Sequence, residues 1–472
     1  MKVTQTTVKI FASKLLTSIF GFLAIVYFAR VLSSEELGVF FLFQAILIFL
    51  RTVTDFGVSR AVEKRISERQ SYSRVFSTSI LLKLGLWAVM SLLIIVFAGL
   101  IESYVGAKIV WELIVALAVQ EFGVLGIGIL RGSLRVDETA IITFGRKFVW
   151  VAGSVTLLQI SSGAEAIIHA FIFSWVVQIV WVWRKIPIDL TSPSLETMMS
   201  LIDYSKYFFV DTVGSRVYSW MDLLIIGVFL SKSHVAAYET AWRVAAISFL
   251  VTSSILISVF PQISQWSAED STEKINGLIS GLVGPSILSI LPFFFGALVF
   301  SDKILGVIFG NKYVIASLAL VILIFDKLLQ GVYGLLGTTL QAVNRPDLSA
   351  RATVVSIVTN LFFNIVLVYE FGLVGAAFAT TIAATVNGIL KYWYLPNYVS
   401  ISLDTSHIFW GVVSSSTMVA ILYILDSMIN IDSVPSLIAV IGVGGVLYFV
   451  VLLSNPKVRR TFYQNVYIRI VS

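Results

Sequence analysis

The chain contains no cysteine, which excludes disulfides, thiolate nucleophiles and cysteine-ligated zinc. Its 3 histidines, His169, His234 and His407, lie too far apart in sequence to suggest a histidine metal cluster. No G-x-x-x-x-G-K-[ST] phosphate loop occurs, which points to an ion gradient or the membrane potential as the expected driving force. Charge is scarce as well. Only 13% of the 472 residues are Asp, Glu, Lys or Arg, against roughly 25% in soluble domains. What fills the space is apolar: 58% hydrophobic residues and a mean hydropathy of +0.93. No soluble core hides that much, which excludes a cytosolic enzyme, a disordered chain and a nucleic-acid module. The composition defines an all-α polytopic integral membrane protein, and its net charge of +6 is read first as a topology signal.

A transmembrane helix needs about 20 apolar residues. Fourteen windows qualify: 10–31, 38–58, 77–101, 109–130, 141–161, 165–184, 206–230, 238–261, 277–300, 314–340, 349–369, 371–393, 407–425 and 434–454. The first is too long for a cleaved signal peptide, lacks a small-residue cleavage site and leads straight into a second span. No gap is long enough for a soluble domain. With the N-terminus in the cytoplasm, the cytoplasmic side collects 22 Lys and Arg, the outer side 5, and 6 lie within spans. That bias follows the positive-inside rule and places both termini in the cytoplasm of a multi-pass cell-membrane protein. Clusters such as Arg60, Lys64, Arg65, Arg69 and Arg74 read as topology signals with some attraction to lipid headgroups, in preference to a nucleic-acid patch.

The chain also repeats itself. A shift of 210 aligns Leu125–Thr143 with Leu335–Thr353, with 6 of 19 positions identical, including Arg135/Arg345 and Asp137/Asp347. A shift of 209 pairs Gly163, Ala170 and Val177 with Gly372, Ala379 and Val386, and a shift of 198 pairs Leu32-Ser33 with Leu230-Ser231. Similar shifts in consistent order predict a duplicated six-helix unit. Six is even, so the copies are parallel, and such transporters place the substrate path between the halves. The expected organisation is a first lobe over 1–200, a second over 201–395, two extra helices over 396–454 and a basic cytoplasmic tail over 455–472, with a central cavity between the lobes.

Several motifs carry a family resemblance. From Leu305 onward the chain reads G-V-I-F-G-N-K-Y, then L-Q-A-V-N-R-P-D, then Y-E-F-G-L-V-G-A-A-F-A-T. The opening V-Y-F-A-R-V-L-S-S-E-E-L-G-V-F spans 26–40, and D-L-L-I-I-G-V-F-L at 222–230 precedes Tyr238 and Arg243. This resembles the polysaccharide-transporter branch of the multidrug/oligosaccharidyl-lipid/polysaccharide exporter superfamily, the O-antigen flippases of Wzx type. Phe40 stands where tyrosine is commoner and Ala236 where glycine is usual. The resemblance covers about the first 400 residues. It implies translocation of a polyprenyl-pyrophosphate-linked oligosaccharide from the cytoplasmic to the outer leaflet by alternating access, with no catalytic residue and no cofactor. A glycan polymerase or ligase is the further partner it implies, and a monomer the functional unit.

The family pattern supplies no universal motif, so sites are argued from charge. An ionisable side chain within a span costs about 2.5–3.5 kcal/mol on insertion scales and faces a cavity or a partner. Eleven such residues stand out: Lys14, Arg51, Asp55, Lys83, Glu121, Asp211, Arg216, Asp222, Arg243, Asp326 and Lys327. Arg216 is near the midplane, about 120–140° around its helix from Asp211 and Asp222, so its partner must be another span or an anionic cargo. Asp326 and Lys327 are adjacent and do not face each other squarely; one is expected at the cavity and the other against a neighbour. Glu121 is the deepest acid of the first half, a proton carrier or a packed partner of a basic residue. Arg51 and Asp55, four apart, favour a local ion pair. Lys14 and Lys83 favour snorkelling, although with Arg51 they would form a basic vestibule. Arg243 and Glu239 are expected to pair.

A pyrophosphate diester carries about two negative charges and needs compensation in a low-dielectric interior; arginine supplies bidentate bonds and lysine a mobile charge. The cationic candidates are Arg216, Lys327, Arg51, Lys14 and Lys83, and the ion-coupling candidates Glu121, Asp326, Asp55 and Asp222. Polar cavity candidates are Asn360, Asn364 and Asn387, with Gln330, although such amides more often bind neighbouring helices. Trp220, Tyr218 and Tyr333 are candidates for stacking on sugar. No metal site is expected. Pro285 and Pro292 predict a kink in the ninth span, and Pro261 the end of the eighth. Alternatives to the flippase are a lipid II flippase, a multidrug exporter of the same superfamily and, least favoured, a membrane polymerase, which would need a larger outer loop. An ion gradient or the membrane potential is the expected energy source.

Overall fold

The computed structural model describes residues 2–68, 71–161, 163–395, 405–428, 431–456 and 458–459. Side chains of 2–16, 405, 428 and eight positions between 207 and 218 lie outside the described set, and with them the expectations for Lys14, Asp211 and Tyr218. Every regular element among the described residues is a helix. The chain forms two compact units, Met1–Ala236 and Ala237–Ser472.

The first unit runs α1 (Lys2–Val31), α2 (Ser34–Asp55), α3 (Val58–Ser67), α4 (Tyr72–Val96), α5 (Ala98–Val105), α6 (Val110–Gly132), α7 (Val136–Leu157), α8 (Ala164–Trp183) and α9 (Leu195–Phe229). A capping box starts α2: the Ser33 hydroxyl accepts from the Glu36 N–H at 3.2 Å, and the Glu36 carboxylate accepts from the Ser33 N–H at 2.9 Å. Two consecutive left-handed residues, Phe56 and Gly57, end it and turn the chain into α3. α3 is short and amphipathic, burying Val58, Ala61, Val62 and Ile66 at helical spacing. It packs on α6 at glycine: a Cβ on Gly132 would lie 2.6 Å from the Glu63 carbonyl oxygen, an approach only a bare Cα permits. α2 is the hub, packed against α4, α6, α8 and α9. Because α9 packs on α2, α3 and α4, it belongs to the first unit, and the seam between units falls at 236–237, not at 200–201.

From α10 (Lys232–Ser248) onward the second unit contains α11 (Leu250–Ala268), α12 (Thr272–Leu288), α13 (Leu291–Ile308), a 3-10 turn (Asn311–Ala316), α14 (Ser317–Ala342), α15 (Pro346–Tyr394), α16 (Thr405–Met428) and α17 (Val434–Ser454). α15 is two arms folded back at Gly372, whose φ of 58° and ψ of −133° break the helix. The arms run antiparallel: the Ser356 hydroxyl donates to the Ala383 carbonyl at 2.8 Å, and the Asn360 amide to the Thr380 hydroxyl at 3.4 Å. α17 is tied in by the Tyr448 hydroxyl, which donates to the Leu288 carbonyl at 2.8 Å, and α16 by an ion pair between Lys303 and Asp426.

All fourteen expected spans fall on helix. Among the described residues, ten helices are long and apolar enough to cross a membrane outright, and α10 with α11, bent by 54°, makes an eleventh. The remaining three are the second arm of α15, the apolar stretch Thr17–Val31 of α1 and the Ser219–Phe229 stretch of α9. The prolines behave unevenly. The ninth span breaks between α12 and α13, with Pro292 in the first turn of α13, as its prolines predict. Pro261 does not end the eighth span; it lies inside α11, and the break is at Phe249. One missing N–H deforms a helix without stopping it when the flanking turns are packed, and Val259 and Ile263 are buried.

The repeat is written in the backbone. α6 ends with Leu134 left-handed at φ 61°, and α14 with Asn344 at φ 60°. In each, the N–H three residues beyond the helix reaches back five residues: Arg135 to the Leu130 carbonyl at 2.9 Å and Arg345 to the Leu340 carbonyl at 2.8 Å, the Schellman arrangement. Both arginines then bind a carboxylate in the next turn, Glu138 and Asp347 respectively. Gly163 before α8 and Gly372 within α15, the pair aligned by the 209 shift, both have positive φ.

Candidate functional site

Six described charges inside the first unit form two adjoining groups. Lys83 of α4 has no exposed surface and bridges two carboxylates, Asp55 at the end of α2 and Glu121 of α6. Asp55 also accepts from the Ser59 hydroxyl at the start of α3. Glu121 is 1% exposed, and its second oxygen, Oε1, has no hydrogen-bond partner among the described residues. This corrects two expectations. Lys83 does not snorkel or line a vestibule, because two buried acids from other helices claim its ammonium. Arg51 does not pair with Asp55, because Asp55 is already held by Lys83 and Ser59.

The second group is three arginines. Arg51 of α2 makes no ion pair among the described residues, and its buried Nε has no partner. Arg146 of α7 stacks on the Trp175 ring of α8, with its guanidinium 4.2 Å from the ring centre; it has no carboxylate partner among the described residues and its Nε is orphaned. Arg216 of α9 likewise forms no described ion pair. Arg51 lies close enough to act on the charges of both Arg146 and Arg216, and on those of Asp55 and Glu121. Across these two groups four cations meet two carboxylates, an excess of two positive charges. Guanidinium groups gathered without acids repel one another and attract an anion, and their forked donors match phosphate oxygens. The aromatic face of Trp175 holds Arg146 while leaving its edge donors available.

Charge in the second unit is mostly matched internally. Lys327 and Asp326 of α14 are both buried and pair with each other at 3.0 Å, with Lys327 5.9 Å over the Trp242 ring. The expectation that one faces a cavity and the other a neighbour is corrected: adjacent side chains 100° apart meet when both are long enough to bend together and no other charge competes. Glu239 and Arg243 pair at 2.6 Å, as expected. Asp222, in the first unit, is buried and interacts within the fold. Asn360 and Asn364 are buried in the first arm of α15: the Asn360 amide donates across to Thr380 of the second arm, and the Asn364 amide donates to the Asn360 carbonyl of its own arm at 3.1 Å. Asn387 is buried too.

Two functional candidates escaped the sequence. Arg146 is not among the intramembrane charges singled out from the sequence; α7 starts at Val136, which places Arg146 about ten residues inside it. Lys391 is not among them either, yet it is 6% exposed, 5.4 Å over the Tyr333 ring and pressed against Gly337. Two tryptophans facing Arg146 and Lys147 from 29 and 3 residues away were the only available hint.

Fold and site together define a polytopic membrane protein of duplicated helical build with a cationic site inside its first unit. The chain belongs to the polysaccharide biosynthesis protein family, whose model matches residues 27–318. It is 41% identical to the probable low-salt glycan biosynthesis flippase Agl15 of Haloferax volcanii, over 100% of both chains. Among solved structures it resembles the lipid II flippase MurJ in an inward closed conformation, with a TM-score of 0.80 at 17% identity, covering 97% of this chain and 99% of that one. An inward-facing multidrug resistance transporter of the MATE family in the MOP superfamily matches with a TM-score of 0.66 at 15% identity, covering 81% of this chain and 95% of that one. The last two likenesses are of fold.

Proposed function

We propose that the chain is a flippase that carries a lipid-pyrophosphate-linked oligosaccharide from the cytoplasmic to the outer leaflet by alternating access, for surface glycan assembly. The observation that carries this reading is the arginine group. Arg51, Arg146 and Arg216 have no carboxylate partner among the described residues, and the excess of two positive charges balances the two negative charges of a pyrophosphate diester. The 41% identity to a glycan biosynthesis flippase over the whole chain supports the same cargo class. A cationic drug would be repelled by this site, which disfavours the multidrug reading. The protein is a transporter and not an enzyme. An ion gradient or the membrane potential drives it without a cofactor, it works as a monomer in the cell membrane with both termini in the cytoplasm, and it hands its cargo to a glycan polymerase or ligase.

The test replaces Arg146 and Arg216 singly by alanine in a strain whose surface glycan depends on this protein. Lipid-linked oligosaccharide should accumulate on the inner leaflet in each variant. Normal surface glycan with both variants well expressed would sink the reading. Lys327→Ala serves as the contrast: its ammonium is matched by Asp326, so its effect should be on stability before cargo handling.

A further inference from the structure

The arginine group and the Lys83 bridge are neighbours, and that adjacency carries a consequence for cargo loading. One ammonium serves two carboxylates, so the bridge holds one uncompensated negative charge in a site with no exposure at Lys83. The two acids are not equivalent. Asp55 accepts from Lys83 and from the Ser59 hydroxyl, whereas Glu121 has Lys83 alone and a buried Oε1 with no described donor. A buried carboxylate oxygen without a donor is costly, and a proton removes the charge that makes it so. α6 packs against α2, α3, α4, α5, α7 and α8. The charged groups that act most strongly on Glu121 are Lys83 from α4 and Asp55 and Arg51 from α2.

Resting on the flippase reading, we propose that Glu121 is a proton site linked through Arg51 to the arginine group, so that a proton and the cargo pyrophosphate bind together. Arg51 acts on Glu121 on one side and on Arg146 and Arg216 on the other. While Glu121 is ionised, its charge partly screens Arg51 from an incoming anion. A proton at Glu121 Oε1 lifts the local excess from two positive charges to three, and the anion binds more tightly. By reciprocity, the bound anion favours the proton. One charge added beside an anion site at an effective dielectric of about 20 changes affinity by roughly tenfold. Affinity is therefore highest at low pH and falls as pH rises through the titration of Glu121. Proton and cargo cooperate; they do not compete for one site.

The experiment uses the full chain in neutral-lipid nanodiscs and a farnesyl-pyrophosphoryl-glucose probe, a diester whose own charge is constant between pH 5 and 9. Titration calorimetry in buffers of different ionisation enthalpy counts protons taken up per probe bound. The native protein should take up a fraction of a proton and bind about tenfold more tightly at pH 5.5 than at pH 8. Glu121→Gln should bind with no proton uptake, at an affinity independent of pH and near the native acid limit, while Asp55→Asn should keep the linkage. Binding without proton uptake, proton release, or linkage lost in Asp55→Asn and kept in Glu121→Gln would overturn the proposal and leave the flippase reading standing. No binding at any pH would overturn both.

Discussion

Replacing Lys83 by methionine tests how the interior of the first unit is held. Methionine nearly matches the lysine stem in volume, so little cavity opens, and the loss is that of the ammonium. Two carboxylates, Asp55 and Glu121, then face each other across a site with no exposed surface at residue 83. Removing one partner of a buried pair costs about 3–5 kcal/mol, because the charge left behind has neither water nor a counter-ion. Spread over a unit of about 236 residues, with roughly 2–4 °C lost per kcal/mol, the melting temperature should fall by roughly 6–20 °C. The acids can escape part of this penalty by taking up protons, so the loss should be smaller at pH 5.5 than at pH 8. A second change, Glu121→Gln in the Lys83→Met background, removes one of the stranded charges and should restore about half of the loss, since Asp55 keeps its Ser59 donor. The assay is tryptophan fluorescence melting of the purified chain in nanodiscs. A fall below about 2 °C at pH 8, or no recovery in the double variant, would refute the view that one ammonium neutralises two acids.

The repeated backbone positions give a paired test. Alanine at Gly163 or at Gly372, where φ is 105° and 58°, forces a side chain into a region that glycine alone occupies readily; each should cost about 1–3 kcal/mol in the same melting assay, and a neutral result at both would remove the structural basis of the repeat. Gly38→Ala should be worse tolerated than an ordinary helix substitution, because its Cβ would lie 1.9 Å from the Lys232 carbonyl oxygen; overpacking of about 1–3 kcal/mol should appear as lowered thermal stability and low membrane yield, and normal values would show that α2 does not pack there.

Helix placement was legible because lipid leaves the backbone no alternative: every polar group of a span must be satisfied within it, so a run of about 20 apolar residues is also an architectural statement. The repeat was legible for a similar reason. Arg135 and Arg345 sit at turns where the chain must reverse, and turn geometry constrains residue type locally. Pairing across helices was not legible. Lys83 meets Asp55 and Glu121 from 28 and 38 residues away, and no spacing rule reaches that far. Read on its own helix, Lys83 is a lysine two turns from an end, which describes a snorkelling residue as well as a buried bridge. Asp326 and Lys327 failed in the opposite direction. Their adjacency suggested separate fates, whereas the long lysine stem folds back when both groups are buried.

The two halves kept the same devices for different reasons. Left-handed Leu134 and Asn344, the five-residue back-bonds of Arg135 and Arg345, and positive-φ Gly163 and Gly372 occur in both, because each copy must make the same turns to bury its helices. Charge followed no such symmetry. The second unit matches Asp326 with Lys327 and Glu239 with Arg243, leaving Lys391 as its buried cation without a described carboxylate. In the first unit three arginines stand without acids beside a lysine that serves two. A fold requirement acts on every copy of a duplicated unit, whereas an anion needs its counter-charges in one place only. The asymmetry of charge against a symmetric backbone therefore sets Arg51, Arg146 and Arg216 apart from what the fold alone requires. By the same reasoning, removing the charge of Lys327 should disturb stability first, and removing that of Arg146 should disturb transport.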